Sequence, residues 1–374
     1  MRSLSRKLTL GTFLALVLLP VLLFQYDGPW PGEGEVAVRG KAPFPYRFTP
    51  SVYEELDQWF ADRVGLRYPM IYLGTKLHVD LLHRPLDNHI FLGQDGWMFW
   101  SDDGESTPAT MIDARGKLRF KPAEVQQIDT ELQVVRDRFI ACGIPLVILI
   151  APNKQSIYGE NIFGAHRTPP QTRFGALMES LSAPAKSLIV DARGSMLAGK
   201  QRNAPTTLFN KTESHWNDLG AYYGYRAVID ALSKLTPVPY PERTALDHYT
   251  LSVAPYPGGD MATRVLFSPW RFKDDNVELR PKIPVKEVFI EHRNYKTRNP
   301  QGRGRLLLIG DSFTYHLTPF LAQHFEEVHR HIRETIDGAI VGSYRPDVVL
   351  WVTVERHAYR LLRPAFNLDQ TCKK

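Results

Sequence analysis

The chain has 374 residues, of which 43% are hydrophobic and 23% charged. That is a globular composition, and it excludes a disordered, collagenous or coiled-coil protein. Lys and Arg number 46 against 40 Asp and Glu, giving a net charge of +6. No nucleic-acid-binding signature accompanies the excess; a weakly basic surface suits an anionic polymer or a membrane face, and ordinary proteins share it. Two cysteines, Cys142 and Cys372, exclude a disulfide scaffold and a Cys-rich zinc module.

Residues 1–7 hold Arg2, Arg6 and Lys7 and no acid, and the 17 residues of 8–24 hold no charge. A basic flank before an apolar segment predicts a signal-anchor helix over residues 1–24, at the short end for a bilayer crossing. Asp27, Glu33 and Glu35 follow it, which places the body of the protein outside the cytoplasm. No A-x-A site follows, so an uncleaved anchor is expected rather than a cleaved signal. Residues 25–50, rich in Pro and Gly, read as a linker, and 51–374 as the folded domain.

Residues 52–82 show helical spacing of apolar residues. Residues 90–100 read as a hairpin around Asp95-Gly96. From residue 122 helices and strands alternate. Helices are predicted at 122–142, 170–183, 217–234 and 317–325. Buried strands are predicted at 145–151, 305–309 and 347–352, with shorter ones at 187–191 and 328–332. This alternation predicts a doubly wound parallel α/β sheet with helices on both faces. Residues 236–300, rich in Pro and charge, read as an insertion or lid beside the active site.

Two motifs carry chemistry. In the first, the strand Leu307-Leu308-Ile309 runs into Gly310-Asp311-Ser312-Phe313 just before a helix. Sites in open parallel sheets lie at carboxyl strand ends, and a serine there sits beside helix N-terminal amides able to stabilise an oxyanion. In the second, Thr212-Glu213-Ser214-His215-Trp216-Asn217, positions i and i+2 of an extended segment share a side. Glu213 can therefore orient His215, which can activate a serine. Metal ligation by His215, Glu213 and His316 is a weaker reading, without H-x-x-x-H spacing or clustered carboxylates.

With these two motifs stand Gly93-Gln94-Asp95-Gly96-Trp97-Met98-Phe99, Ala151-Pro152-Asn153-Lys154 with Tyr158, Gly259-Asp260-Met261, and Pro346 to Trp351 followed by Val354-Glu355-Arg356. Their order and spacing over residues 85–362 resemble the AlgJ/AlgX-type alginate O-acetyltransferases, SGNH-hydrolase-like proteins with a permuted order of motifs. The resemblance implies an SGNH-like fold, with Ser312 as nucleophile, His215 as base and Glu213 as acid. The family usually has Asp at the last of these positions. It implies acetyl transfer to an exopolysaccharide through an acetyl-serine, with no cofactor. It also implies an inner-membrane, periplasm-facing location and a membrane-bound O-acyltransferase partner. An esterase of the same fold and a non-catalytic polysaccharide-binding factor are the alternatives.

Asn153, at a strand end, is an oxyanion-donor candidate. Lys154 is a candidate for meeting an anionic sugar, a solvated lysine being its ordinary reading. Tyr315 is expected to line the site or to pack. Trp97, Phe99 and Trp100 serve a hairpin core or sugar stacking. Glu355 and Arg356 read as an ion pair. Cys142, at a helix end, reads as a buried, inert residue.

Overall fold

The structure, a computed structural model, describes residues 2–26, 41–82, 84, 89–101, 110–164, 170–239, 241–256, 258–266, 271–291 and 294–372. Most of the expected linker falls outside these residues. The chain forms two compact units, one of residues 1–90 and 257–273, the other of residues 91–256 and 274–374.

In the first unit the apolar segment forms the helix Arg2–Leu22, with Pro20 inside it. Among the described residues, no helix is long and apolar enough to cross a membrane. The expected spanning helix thus lacks support: a crossing needs about 20 apolar residues, and the uncharged run supplies 17. Phe24 packs 5.7 Å from the ring centroids of both Trp59 and Phe60, on the helix Val52–Ala61. Arg67, opening the helix Arg67–Lys76, pairs with Asp62 at 2.6 Å.

The second unit is built on a seven-stranded sheet. Counting in chain order, β1 (Ile90–Leu92) and β2 (Met98–Trp100) form the expected hairpin. Both residues of its Asp95-Gly96 turn have positive φ, the conformation this pair tolerates. The strands that follow are β3 (Leu146–Ala151), β4 (Ile189–Asp191), β5 (Tyr249–Tyr256), β6 (Asp274–Pro281), β7 (Lys286–Glu291), β8 (Asn294–Arg298), β9 (Arg305–Gly310), β10 (Glu327–Ile332), β11 (Ile336–Asp337), β12 (Val348–Val354) and β13 (Ala365–Phe366). The large sheet has the order β4-β3-β12-β9-β10-β8-β7. Its first five strands are parallel, and β8 and β7 add an antiparallel edge. Part of the segment read as an insertion therefore extends the central sheet. Polar edge strands such as Asn294–Arg298 lack the apolar run that marks a covered strand.

The central strands bury both faces, as a doubly wound sheet requires. Leu149, Leu308 and Leu350 face one core with Trp216, Tyr225 and Phe320. Ile148, Ile309 and Trp351 face the other with Leu132, Phe139 and Phe174. The helices Asp218–Leu232 and Thr314–Leu321 supply the first layer, and Pro122–Ala141 and Arg173–Ser180 the second. Trp97 and Phe99 are core residues, with Trp97 stacked 4.3 Å from Tyr158.

Cys142 is not an inert buried thiol. It is joined to Cys372 across 230 residues of sequence, with Cα atoms 5.3 Å apart. Tertiary packing makes the pair: the guanidinium of Arg138 donates to the Leu368 carbonyl at 2.9 Å, laying the C-terminal segment along the helix that ends before Cys142.

Candidate active site

Strand β9 carries Ser312 to the carboxyl end of the sheet. Gly310 pairs with Val352 of β12, and a Cβ built at Gly310 would overlap the Val352 carbonyl oxygen. Only glycine lets the chain turn at so close an approach. Asp311 braces the turn: Oδ2 accepts the Val354 amide at 2.9 Å and Oδ1 the Phe313 amide at 3.1 Å. Its Oδ2 lies 3.5 Å from Arg360 and 3.8 Å from the His357 ring. Burial works to raise its pKa, but the His357 contact and the two amides outweigh burial and hold the carboxyl below its ordinary value.

The helix after Ser312 starts at Thr314, three residues earlier than the sequence suggests. The Thr314 and Tyr315 amides go to the carbonyls of Asp311 and Ser312 at 3.1 Å each. With Phe313 N–H on Asp311, the first helical amides expected to serve an oxyanion are committed within the turn.

The histidine arrives on a loop closed by a bridge between Phe209 and Trp216. Asn217 caps the next helix, its Oδ1 accepting the Gly220 amide at 3.0 Å. Trp216 anchors the loop by donating from Nε1 to the Phe313 carbonyl at 3.2 Å. Its indole lies against Gly224, where a Cβ would meet the ring at 2.8 Å. On the far side, Asp274 of β6 accepts both the amide and the hydroxyl of Thr212 at 2.7 Å each.

These elements bring the three expected residues together. His215 Nε2 is 2.6 Å from Ser312 Oγ, and His215 Nδ1 is 2.9 Å from Glu213 Oε1. Ser214 Oγ also lies 3.1 Å from Nδ1. With Nδ1–H donated to Glu213, Nε2 keeps a lone pair for the serine hydroxyl. All three residues are partly exposed, so the relay is open to a reactant. The longer Glu side chain spans the i, i+2 separation without disrupting the arrangement.

Beside Glu213 runs a groove of about 360 Å³, lined also by Tyr315, His316, Asp218, Glu278 and Arg280. Strand β6 forms one wall, so this part of the segment read as a lid does flank the site. His316 is paired with Asp218, Nδ1 to Oδ1 at 2.6 Å, and so belongs to a separate dyad rather than to a ligand set with His215.

The other candidates take structural posts. Lys154 is 4% exposed and neither solvated nor placed for a sugar. Its ammonium donates to the carbonyls of Met98, Asn210 and Lys211 at 3.1, 2.8 and 3.0 Å, fixing the base of the histidine loop to the hairpin. Tyr158 helps from the other side: its hydroxyl accepts the Leu208 amide at 2.9 Å, and burial pushes its pKa up to about 12. Asn153 is buried; its side-chain Oδ1 accepts the Arg356 amide at 3.3 Å and ties the end of β3 to the end of β12. Glu355 does not pair with Arg356. It is fully buried and accepts from the Asn153 amide at 3.0 Å and from the Ser156 and Thr172 hydroxyls at 2.6 Å each. The Arg356 guanidinium lies 5.7 Å from the Phe313 ring centroid. Sequence reasoning missed the bracing roles of Asp274, which stands in no motif, and of Asp311, whose partner Val354 lies at the end of another strand.

Comparisons with known proteins bear on the family and the fold. The profile of the SGNH hydrolase-like domain of acetyltransferase AlgX matches residues 90–339, more than half of the chain. The probable alginate O-acetylase AlgJ of Pseudomonas aeruginosa is 25% identical over 176 residues, 46% of this chain and 41% of that protein. The probable alginate O-acetylase AlgJ of Pseudomonas putida is 27% identical over 175 residues, 45% of this chain and 40% of that protein. The match thus spans well under two thirds of these relatives' length. The structure of Bacillus cereus PatB1 superposes with a TM-score of 0.51 at 15% identity, covering 74% of this chain and all of that one, and shares the fold.

Proposed function

The chain belongs to the AlgX family of SGNH hydrolase-like acetyltransferases, and from that membership we propose that it transfers acetyl groups to hydroxyls of an exopolysaccharide through an acetyl-serine. The observation that carries the reading is the hydrogen-bonded relay Ser312–His215–Glu213, at 2.6 and 2.9 Å.

In the first half-reaction Ser312 Oγ bonds to the acetyl carbonyl carbon while its proton passes to His215 Nε2. The tetrahedral adduct collapses, the bond to the donor's leaving group breaks, and the imidazolium returns the proton to that group. In the second half, a sugar hydroxyl gives its proton to Nε2 and attacks the acetyl-serine. The Ser312 ester bond then breaks, and the proton returns to Ser312. Glu213 holds the imidazole in one tautomer and stabilises its charged form throughout.

The relatives named alginate O-acetylases support an acetylated polysaccharide as product. The Cys142–Cys372 disulfide supports a periplasmic setting, since such bonds persist in oxidising compartments. In this reading the basic, apolar N-terminal helix attaches the chain to the inner membrane. A membrane-bound O-acyltransferase supplies the acetyl groups, and no cofactor takes part.

The test is incubation of the full chain with 4-nitrophenyl acetate and oligosaccharides, followed by mass spectrometry. An acetyl group on Ser312 that passes to sugar supports the proposal. Free acetate alone would make the protein an esterase, and absence of acetyl-serine would leave a binding role.

A further inference from the structure

The groove beside Glu213 has a chemistry of its own. Three carboxylates line it: Glu213, Asp218 and Glu278. Arg280 is the only Lys or Arg lining it among the described residues, and its Nε is already 3.0 Å from Glu278 Oε2. Glu278 is held further by the Asn276 amide group, 3.0 Å from its other oxygen. Asp218 divides its oxygens between the His316 ring at 2.6 Å and the Leu279 amide at 3.1 Å. Each acid is thus matched, and the one guanidinium among the described lining residues already gives its Nε–H to Glu278.

With three acids against one guanidinium among the described lining residues, such a surface opposes the carboxylate charge of a uronate. It also has no unmatched acid to bind an ammonium group. What it offers is hydrogen bonding to hydroxyls. With Nδ1–H donated to Asp218, the other nitrogen of His316 is an acceptor. Tyr315 adds an aromatic ring of the kind sugar faces pack against.

Resting on the acetyl-transfer reading above, we propose that this groove is the acceptor subsite and that it selects an uncharged polysaccharide over a polyuronate, with His316 accepting a hydroxyl of the bound sugar unit. The site would then differ in charge preference from one built for alginate, a polyuronate.

The experiment separates binding from chemistry. Full-chain Ser312→Ala protein is titrated with neutral gluco- and manno-oligosaccharides and with oligomannuronates of equal length. The expected result is neutral sugars binding about tenfold tighter, His316→Ala weakening them about tenfold, and Glu278→Gln improving oligomannuronate binding several-fold. Equal or tighter binding of oligomannuronate, no binding of any neutral sugar, or unchanged affinity in His316→Ala would each overturn the proposal. Acetyl-serine formation in the wild-type chain is read separately, so a failure of the transfer reading is distinguishable from a failure of the subsite.

Discussion

Asp274 and Thr212 join β6 to the histidine loop, one carboxylate oxygen accepting both the amide and the hydroxyl at 2.7 Å each. Thr212 precedes Glu213 and is fully buried, so its position sets the direction in which the acid and His215 leave the backbone. Strand β6 therefore both walls the groove and aims the relay.

Asp274→Ala removes the one oxygen that accepts both the buried amide and the hydroxyl of Thr212, at about 1–3 kcal/mol. The relay loses aim rather than a reacting group. Acetyl-serine formation should fall about 10- to 100-fold, and Asp274→Asn should recover part of it. Activity of the alanine variant within twofold of wild type would show that the loop is aimed by other contacts.

Ser312→Ala should abolish acetyl-enzyme formation without loss of fold, because a turn hydroxyl at the surface adds little to the core. His215→Ala should be about as damaging, since residues acting as one unit are not additive. Glu213→Gln keeps the length but loses the charge, and should cost less than either. Glu213→Asp shortens the side chain by one methylene, stretches the 2.9 Å contact with Nδ1 and should lower the rate. A rate at or above wild type for Glu213→Asp would show that the loop adjusts to the shorter acid.

What the sequence makes legible is local. Ser312 and the Glu213–His215 pair stand in short motifs whose geometry follows from strand-end and i, i+2 rules, and the all-apolar strands announce a covered sheet. What stays hidden depends on partners distant in the chain. Lys154 looks solvated until the carbonyls of residues 98, 210 and 211 surround it. Cys142 finds Cys372 only once the tail lies along its helix. Strand β8 carries no apolar run because an antiparallel edge does not demand one. Asp311 stands beside the serine in its motif, yet its Oδ2 accepts the amide of distant Val354.

Lys154→Met tests the buried ammonium. It keeps much of the stem's volume but leaves three carbonyls without their shared donor, a loss of roughly 2–4 kcal/mol. The thermal midpoint should drop by several degrees, and the transfer rate should fall because Asn210 and Lys211 anchor the histidine loop. An unchanged midpoint would mean that water replaces the ammonium at no cost.

Reduction of the Cys142–Cys372 bond should lower stability by about 2–4 kcal/mol, because it frees a long loop in the unfolded chain. The disulfide contributes no atom to the Ser312–His215–Glu213 relay, so activity below the unfolding transition should persist. Equal urea midpoints with and without reductant would count against a stabilising role.

Asp311 supplies the pH prediction. Its folded-state pKa lies below the ordinary 3.8, so its contribution is fully present above that value and disappears as pH falls through the lower, folded-state value. Asp311→Asn keeps the shape but gives up the charged acceptor for the Val354 and Phe313 amides and the contact with His357. At pH 7 the variant should be less stable by roughly 1–2 kcal/mol. As pH falls below the ordinary value the gap should narrow, and it closes only below the lowered folded-state value, where wild-type Asp311 is protonated as well. Urea unfolding of both proteins from pH 7 down to about pH 3 gives the comparison. A gap that stays constant across that range would mean that Asp311 braces the serine turn through shape alone, and that its charge contributes nothing to holding Ser312 in place.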